Sequence, residues 1–398
     1  TDNGGSILIY KGTDLAIGDE ASVSGYITAY NYGFQLDCGK PESEVTIEKL
    51  GTTTTVVYPA AMEITGTVAD ELLTTRVENE YAHYAKMTGT VAVSGNYYNL
   101  NVDGTTAVAL VYKFLQQFYS NIDYYIPDRY EEGYGVSVKG VDYAYETGVK
   151  LIIVLDCGIK AIKEIAYAKE KGIDFIICDH HVPDDELPPA VAILNAKRPD
   201  ATYPYEHLSG CGVGFKFMQA FAINNGIEFY QLTPLLDLVA VSVASDIVPI
   251  MGENRVLTYH GLKQLNSNPS VGLKAIIDVC GLNDKDITVG DIVFKIGPRI
   301  NASGRIQNGK EAVELLVEKD FSTALEKANQ INQYNETRKD LDKAMTEEAN
   351  KIVEHLEDLS ERRTIVIFNE EWHKGVIGIV ASRLTEIYYR PAVVLTRT

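Results

Sequence analysis

Phe175-Ile176-Ile177-Cys178-Asp179-His180-His181 is the stretch whose reading decides the fold. Its first four residues form an apolar run that reads as a buried parallel strand. The polar triplet then falls at the strand's carboxyl end, where open α/β sheets bind ligands. A carboxylate beside two imidazoles, with no Cys-x-x-Cys nearby, suits a hard or borderline divalent metal. The alternative is a hydrogen-bonded pair of loop histidines.

Two further apolar runs shift the balance. Leu151-Ile152-Ile153-Val154-Leu155 ends in Asp156-Cys157-Gly158, and residues 238–244 end in Ser245-Asp246-Ile247-Val248-Pro249. All three runs are expected as strands of one parallel sheet. Carboxylates at neighbouring strand ends converge, which is how a two-metal phosphoesterase site is assembled. Each Asp could instead cap a following helix; three acidic ends together with His-His favour the metal site.

Composition narrows the class. A chain of 398 residues predicts two or three domains. No apolar run approaches the length of a membrane span, so no membrane is expected. No signal peptide is visible, and Thr1 is not an initiator Met, so the true start is expected to lie upstream. Cysteines 38, 157, 178, 211 and 280 follow neither a zinc spacing nor a disulfide framework, which implies a reducing, cytoplasmic compartment. A formal net charge of −19 argues against a broad nucleic-acid-binding surface, but not against a nuclease with a local basic groove.

Longer motifs carry a resemblance. They are Val102-Asp103-Gly104-Thr105-Thr106-Ala107, Ile126-Pro127-Asp128-Arg129-Tyr130-Glu131-Glu132-Gly133-Tyr134-Gly135, and Leu208-Ser209-Gly210-Cys211-Gly212-Val213-Gly214. Gly297-Pro298-Arg299-Ile300-Asn301-Ala302-Ser303-Gly304-Arg305 and the segment from Trp372 to Arg383 follow. From about Asp103 onward the chain resembles the DHH phosphoesterases, specifically the RecJ-type single-strand-specific exonucleases. The expected architecture is α/β: a Rossmann-like parallel-sheet DHH domain over 103–320, a connecting helix over 321–358, and the beginning of a DHHA1-like α/β domain over 359–398. Helices are expected over 107–119 and 159–171, and a strand at Thr364-Ile365-Val366-Ile367-Phe368. The chain stops before the family's later glycine- and histidine-rich motif, so that last domain is expected to be truncated.

Residues 1–102 read differently. They hold five basic and thirteen acidic residues and are rich in Thr, Tyr and Gly. Alternating runs such as Val23-Ser24-Gly25-Tyr26-Ile27-Thr28-Ala29 predict half-buried strands, with a turn at Tyr30-Asn31-Tyr32-Gly33 and helix only over about 69–85. Gly25, Ile27, Ala29, Phe34 and Leu36 are echoed by Gly89, Val91, Val93, Tyr98 and Leu100. The segment resembles an OB-like β-module. OB folds bind single strands with basic grooves and stacked aromatics; here the tyrosines occur without the bases, which favours a structural role.

The resembled family opens its site with Gly-Asp-Tyr-Asp-x-Asp-Gly. Anchored on Asp103-Gly104, this chain places Asn99 and Asn101 where the first two aspartates belong. A neutral amide is a poorer ligand for a divalent ion, so the motif reads as degraded. The expected cause is a junction of unrelated segments near residues 99–106; a natural variant is the alternative.

The resemblance implies two divalent metal ions, Mn2+ or Mg2+. Asp156 is expected to bridge them, with Asp103, His180 and Asp246 completing the metal set. Asp179 orients or ligates, and His181 contacts phosphate or metal. Arg129, Arg299, Arg305 and Arg383, with Asn301, are the substrate-binding candidates, because guanidinium forks match phosphate geometry. The arginines could equally be structural ion pairs. The implied substrate is single-stranded DNA cut from its 5′ end, with a single-strand-binding protein or helicase as partner. Two competitors stay open: a DHH enzyme on short oligonucleotides or small phosphate esters, and a non-catalytic β-module fusion.

Overall fold

A computed structural model describes residues 102–128, 131–133, 135–246, 248–356, 359 and 362–397, together with six strand segments before residue 91. The chain divides into two compact units, residues 1–97 with 338–398, and residues 98–337.

The 98–337 unit is built around a parallel sheet of three strands in the order Leu151–Leu155, Asp174–Cys178, Ala192–Leu194. Alternation along these strands sends side chains to two faces. Val154, Phe175 and Ile177 pack with Val141, Ala144, Ile165 and Ala168, from the helices Val138–Glu146 and Ile162–Glu170. On the other face, Ile153, Leu155, Ile176 and Cys178 meet the larger core. That core includes Leu110, Val111 and Phe114 of the helix Val102–Leu115, and Cys211, Phe215 and Met218 of the helix Gly210–Asn224. A sheet buried on both faces by helices is the α/β arrangement, and it explains why its strands read as continuous apolar runs.

The third run is not a strand. Residues 238–244 lie in the helix Leu236–Ser245, in which every residue from Leu236 to Ala244 is buried. A short apolar run buried on all sides has the same composition in either conformation, so periodicity does not separate them. The neighbouring helix Gly252–Ser267 comes close enough that a Cβ on Gly261 would lie 2.2 Å from the Leu236 carbonyl oxygen. Such backbone-to-backbone contact belongs to helix packing. The first helix begins at Val102 rather than Ala107, and the second at Ile162.

In the other unit, the strands Ile365–Phe368 and Ala392–Leu395 pair in parallel and are joined through the helix Ile377–Tyr388. They share a core with Met345, Ala349 and Val353, from the end of the helix Phe321–Glu354, and with Trp372, whose Nε1 donates to Glu348 Oε2 at 2.8 Å. The early strand Glu20–Tyr30 pairs antiparallel with Gly33–Asp37, Thr46–Lys49 and Tyr84–Thr90. Residues 91–101 and most of the expected 69–85 helix lie outside the described residues. Among those described, no helix is long and apolar enough to cross a membrane.

Candidate metal centre

Leu155 and Cys178 end adjacent strands, so the residues that follow emerge side by side: Asp156 N donates to the Cys178 carbonyl at 2.9 Å. Asp156 has φ 60°, a left-handed conformation that costs a non-glycine residue energy and is kept where surrounding structure enforces it. Its carboxylate Oδ1 lies 3.1 Å from His180 Nε2. The same nitrogen lies 3.7 Å from Asp103 Oδ2 and 3.7 Å from Asp246 Oδ2. Asp103 sits in the first turn of its helix. Asp246 is the extended residue that closes the helix Leu236–Ser245. Two groups of side chains thus have ligand atoms within 4.8 Å of one another: Asp156, His180 and His181, and Asp103, His180 and Asp246. His180 belongs to both.

Asp179 stands apart from these groups, and its two oxygens tie the loops together. Oδ1 accepts from the backbone of His180 and His181 and from His181 Nδ1 at 2.7 Å; Oδ2 accepts from Ile159 N at 3.0 Å. Burial pushes its pKa up, but the His181 hydrogen bond and charge outweigh this and hold it below the usual range. His181 in turn is raised: burial lowers its pKa, but Asp179 more than compensates.

Charge is concentrated at the centre. Burial and the Asp103 charge hold Asp156 up at about 6, against the opposing pull of His180. Burial lowers the His180 pKa, but Asp156, Asp103 and Asp246 together lift it to about 9.

Asp103 is fully buried and held from outside the centre. Gly210 N donates to Oδ2, and Cys211 N and Ser242 Oγ donate to Oδ1, each at 2.6 Å. The amides are the first of the helix Gly210–Asn224, the end of a helix that favours negative charge. Gly210 is required on a second count: a Cβ there would lie 2.6 Å from both Cβ and Oδ1 of Asp156.

The DHH family's N-terminal domain matches residues 90–243. The single-stranded-DNA-specific exonuclease RecJ of Haemophilus influenzae is 38% identical over 306 residues, 74% of this chain and 53% of that protein. The Bacillus subtilis RecJ is 39% identical over 305 residues, 77% of this chain and 37% of that protein. A crystal structure of exonuclease RecJ bound to manganese superimposes with a TM-score of 0.67 at 31% identity, covering 75% of this chain and 74% of the other. The chain belongs to the RecJ branch of the DHH family. It spans about half or less of the length of the two curated relatives.

Within this RecJ-type unit the substrate candidates separate. Asn301 Oδ1 accepts from Val102 N at 3.2 Å, so it caps the helix that carries Asp103. Arg299 donates to Asn332 Oδ1 and to the Lys295 carbonyl, both at 2.9 Å. It follows a π-helical turn, Ile292–Ile296, a feature often found at functional sites. Arg305 is half-buried in the same helix, Gly297–Ile306. In the other unit, Arg383 is engaged bidentately by Asp342, Nε to Oδ1 and Nη2 to Oδ2, both at 2.7 Å. Arg129, Asn99 and Asn101 lie outside the described residues. Sequence reading did not single out Gly210 or Ser242 individually. Ser209 accepts from Gly212 N as the N-cap of the helix Gly210–Asn224, and an N-cap residue there is the one signal that could have marked the helix start. Ser242 had no signal beyond being the polar residue inside an apolar run.

Proposed function

We propose that the chain is a metal-dependent 5′–3′ exonuclease that hydrolyses single-stranded DNA. The observation that carries this reading is the convergence of Asp103, Asp156 and Asp246 on one nitrogen of His180. Three carboxylates and an imidazole, with no thiolate among them, form the donor set for Mn2+ or Mg2+. His180 Nε2, the nitrogen that these carboxylates face, is buried and makes no hydrogen bond among the described residues, which fits a donor held for an ion. Asp156, His180, Asp103 and Asp246 would hold the ions, with His180 belonging to both groups of ligand atoms. Bound ions supply the Lewis acidity of phosphodiester hydrolysis, activating water and offsetting phosphate charge. His181, fixed by Asp179 at Nδ1, turns its remaining nitrogen to the scissile phosphate. Arg299 and Arg305 contact the substrate backbone. Residues 1–102 serve as an OB-like structural module, and a single-strand-binding protein or helicase delivers the strand in the cytoplasm.

The test is release of nucleotides from 5′-labelled and 3′-labelled single strands with Mn2+ and with chelator. Metal-independent release, or equal attack on duplex ends, refutes the reading. Turnover by the unaltered chain is expected to be weak, because Asn99 and Asn101 replace acidic residues of the family's first motif. Introducing Asn99→Asp with Asn101→Asp is expected to raise Mn2+-dependent turnover ~10-fold or more, the scale of losing a metal's supporting partners. Robust turnover by the parent, unchanged in the double variant, would show that the two asparagines are no defect.

Metal binding is also expected to depend on pH. A protonated imidazole does not ligate, and His180 in the metal-free protein keeps its proton up to about 9. Apparent Mn2+ affinity should therefore rise with pH from the neutral range to about 9 and level off above it. Calorimetric titration in buffers of different ionisation enthalpy measures the proton released; no release in that window contradicts the assignment of His180 as a ligand.

A further inference from the structure

We infer that Ser242 is a positioning residue for Asp103, held in that task by Ser209 and the start of the helix Gly210–Asn224. The inference rests on the reading of Asp103 as a metal ligand. Asp103, Ser209 and Ser242 are all completely buried, so their hydrogen bonds do not exchange with solvent.

The bonds form a chain with one consistent direction. Gly212 N donates to Ser209 Oγ at 3.1 Å. Ser209 Oγ and Ser242 Oγ are 2.6 Å apart, and Ser242 Oγ is 2.6 Å from Asp103 Oδ1. An ionised carboxylate only accepts, and a hydroxyl has a single proton. Ser242 must therefore donate to Asp103, which leaves Ser209 to donate to Ser242. Each of the two serines receives one hydrogen bond along the chain and gives one.

This chain determines which edge of the carboxylate faces the metal centre. Oδ1 takes Cys211 N and Ser242 Oγ, while Oδ2 takes Gly210 N and is the oxygen turned to His180. Charge-assisted bonds of this kind are short and orienting. Partners of metal-ligating carboxylates set both the ligand's direction and its affinity. A serine inside a helix commonly bonds back to its own backbone. Ser242 instead bridges a residue 139 positions away. It is the polar member of an otherwise apolar turn.

The experiment measures Mn2+ binding to the full chain by electron paramagnetic resonance, for the parent, Ser242→Ala, Ser242→Thr and His180→Ala. Circular dichroism and the unfolding midpoint in chelator follow the fold of each. Ser242→Ala is expected to weaken Mn2+ binding ~10-fold or more, with the chelator midpoint retained, while Ser242→Thr keeps the hydroxyl and the parent's affinity. Parent-like affinity in Ser242→Ala, with binding lost in His180→Ala, overturns the inference and leaves the metal centre standing. Equal losses in the alanine and threonine variants also overturn it, because the hydroxyl would not be the cause. Parent-like binding in His180→Ala overturns the metal centre itself, and this inference with it.

Discussion

Replacing His180 with alanine is expected to lower Mn2+-dependent nucleotide release by more than ~100-fold, since loss of outer partners alone costs 10- to 100-fold. The imidazole is shared by both ligand groups, and three carboxylates face its Nε2 at 3.1 to 3.7 Å. Its removal takes a nitrogen donor from both groups at once and leaves the carboxylates alone to hold a cation. The alanine variant should therefore lose metal affinity and turnover together, and added Mn2+ should restore little. Steady-state release from a labelled single strand, titrated with Mn2+ for both proteins, decides the matter. Turnover within a few-fold of the parent at the same metal concentration would remove His180 from the centre.

Gly210→Ala is the second large effect, and it arises without replacing any of the proposed ligands. Alanine is ordinarily the better helix residue. Here its methyl would sit 2.6 Å from Asp156 Cβ and Oδ1 and 2.8 Å from its Cγ. Neither neighbour yields easily. Asp156 is held at φ 60°, and the Gly210 amide is bound to Asp103. Overpacking of this kind costs about 1–3 kcal/mol of stability. A displacement of about 1 Å in a reacting geometry costs ~100-fold in rate. The unfolding midpoint and the turnover number are to be measured on the same preparation. A loss of turnover much larger than the loss of stability is the expected pattern; full activity would mean that Asp156 tolerates the shift.

Much of this centre was legible because its signals are local. Asp156 and the Asp179-His180-His181 triplet end apolar runs that form adjacent parallel strands, and strand ends in one sheet meet. Asp246 was legible even though its element was misread. The run before it is buried whether extended or helical, and in either case it delivers the next polar residue to the end of a core element. The Arg383 motif was visible too, but its engagement by Asp342 was not. An arginine fork fits a carboxylate and a phosphate equally well, and only the fold shows which one is beside it.

Local pattern thus determined, from the sequence alone, that a sheet ends in acids and imidazoles, and the long motifs carried the resemblance to the RecJ type. Tertiary structure alone decided how those groups are held. Asp103 receives its hydrogen bonds from residues 107, 108 and 139 positions away, and Asn301 caps Val102 across 199 positions. Such partners leave no spacing to read. A hydrogen bond requires donor and acceptor within about 3 Å, and over that many residues only packing brings them there.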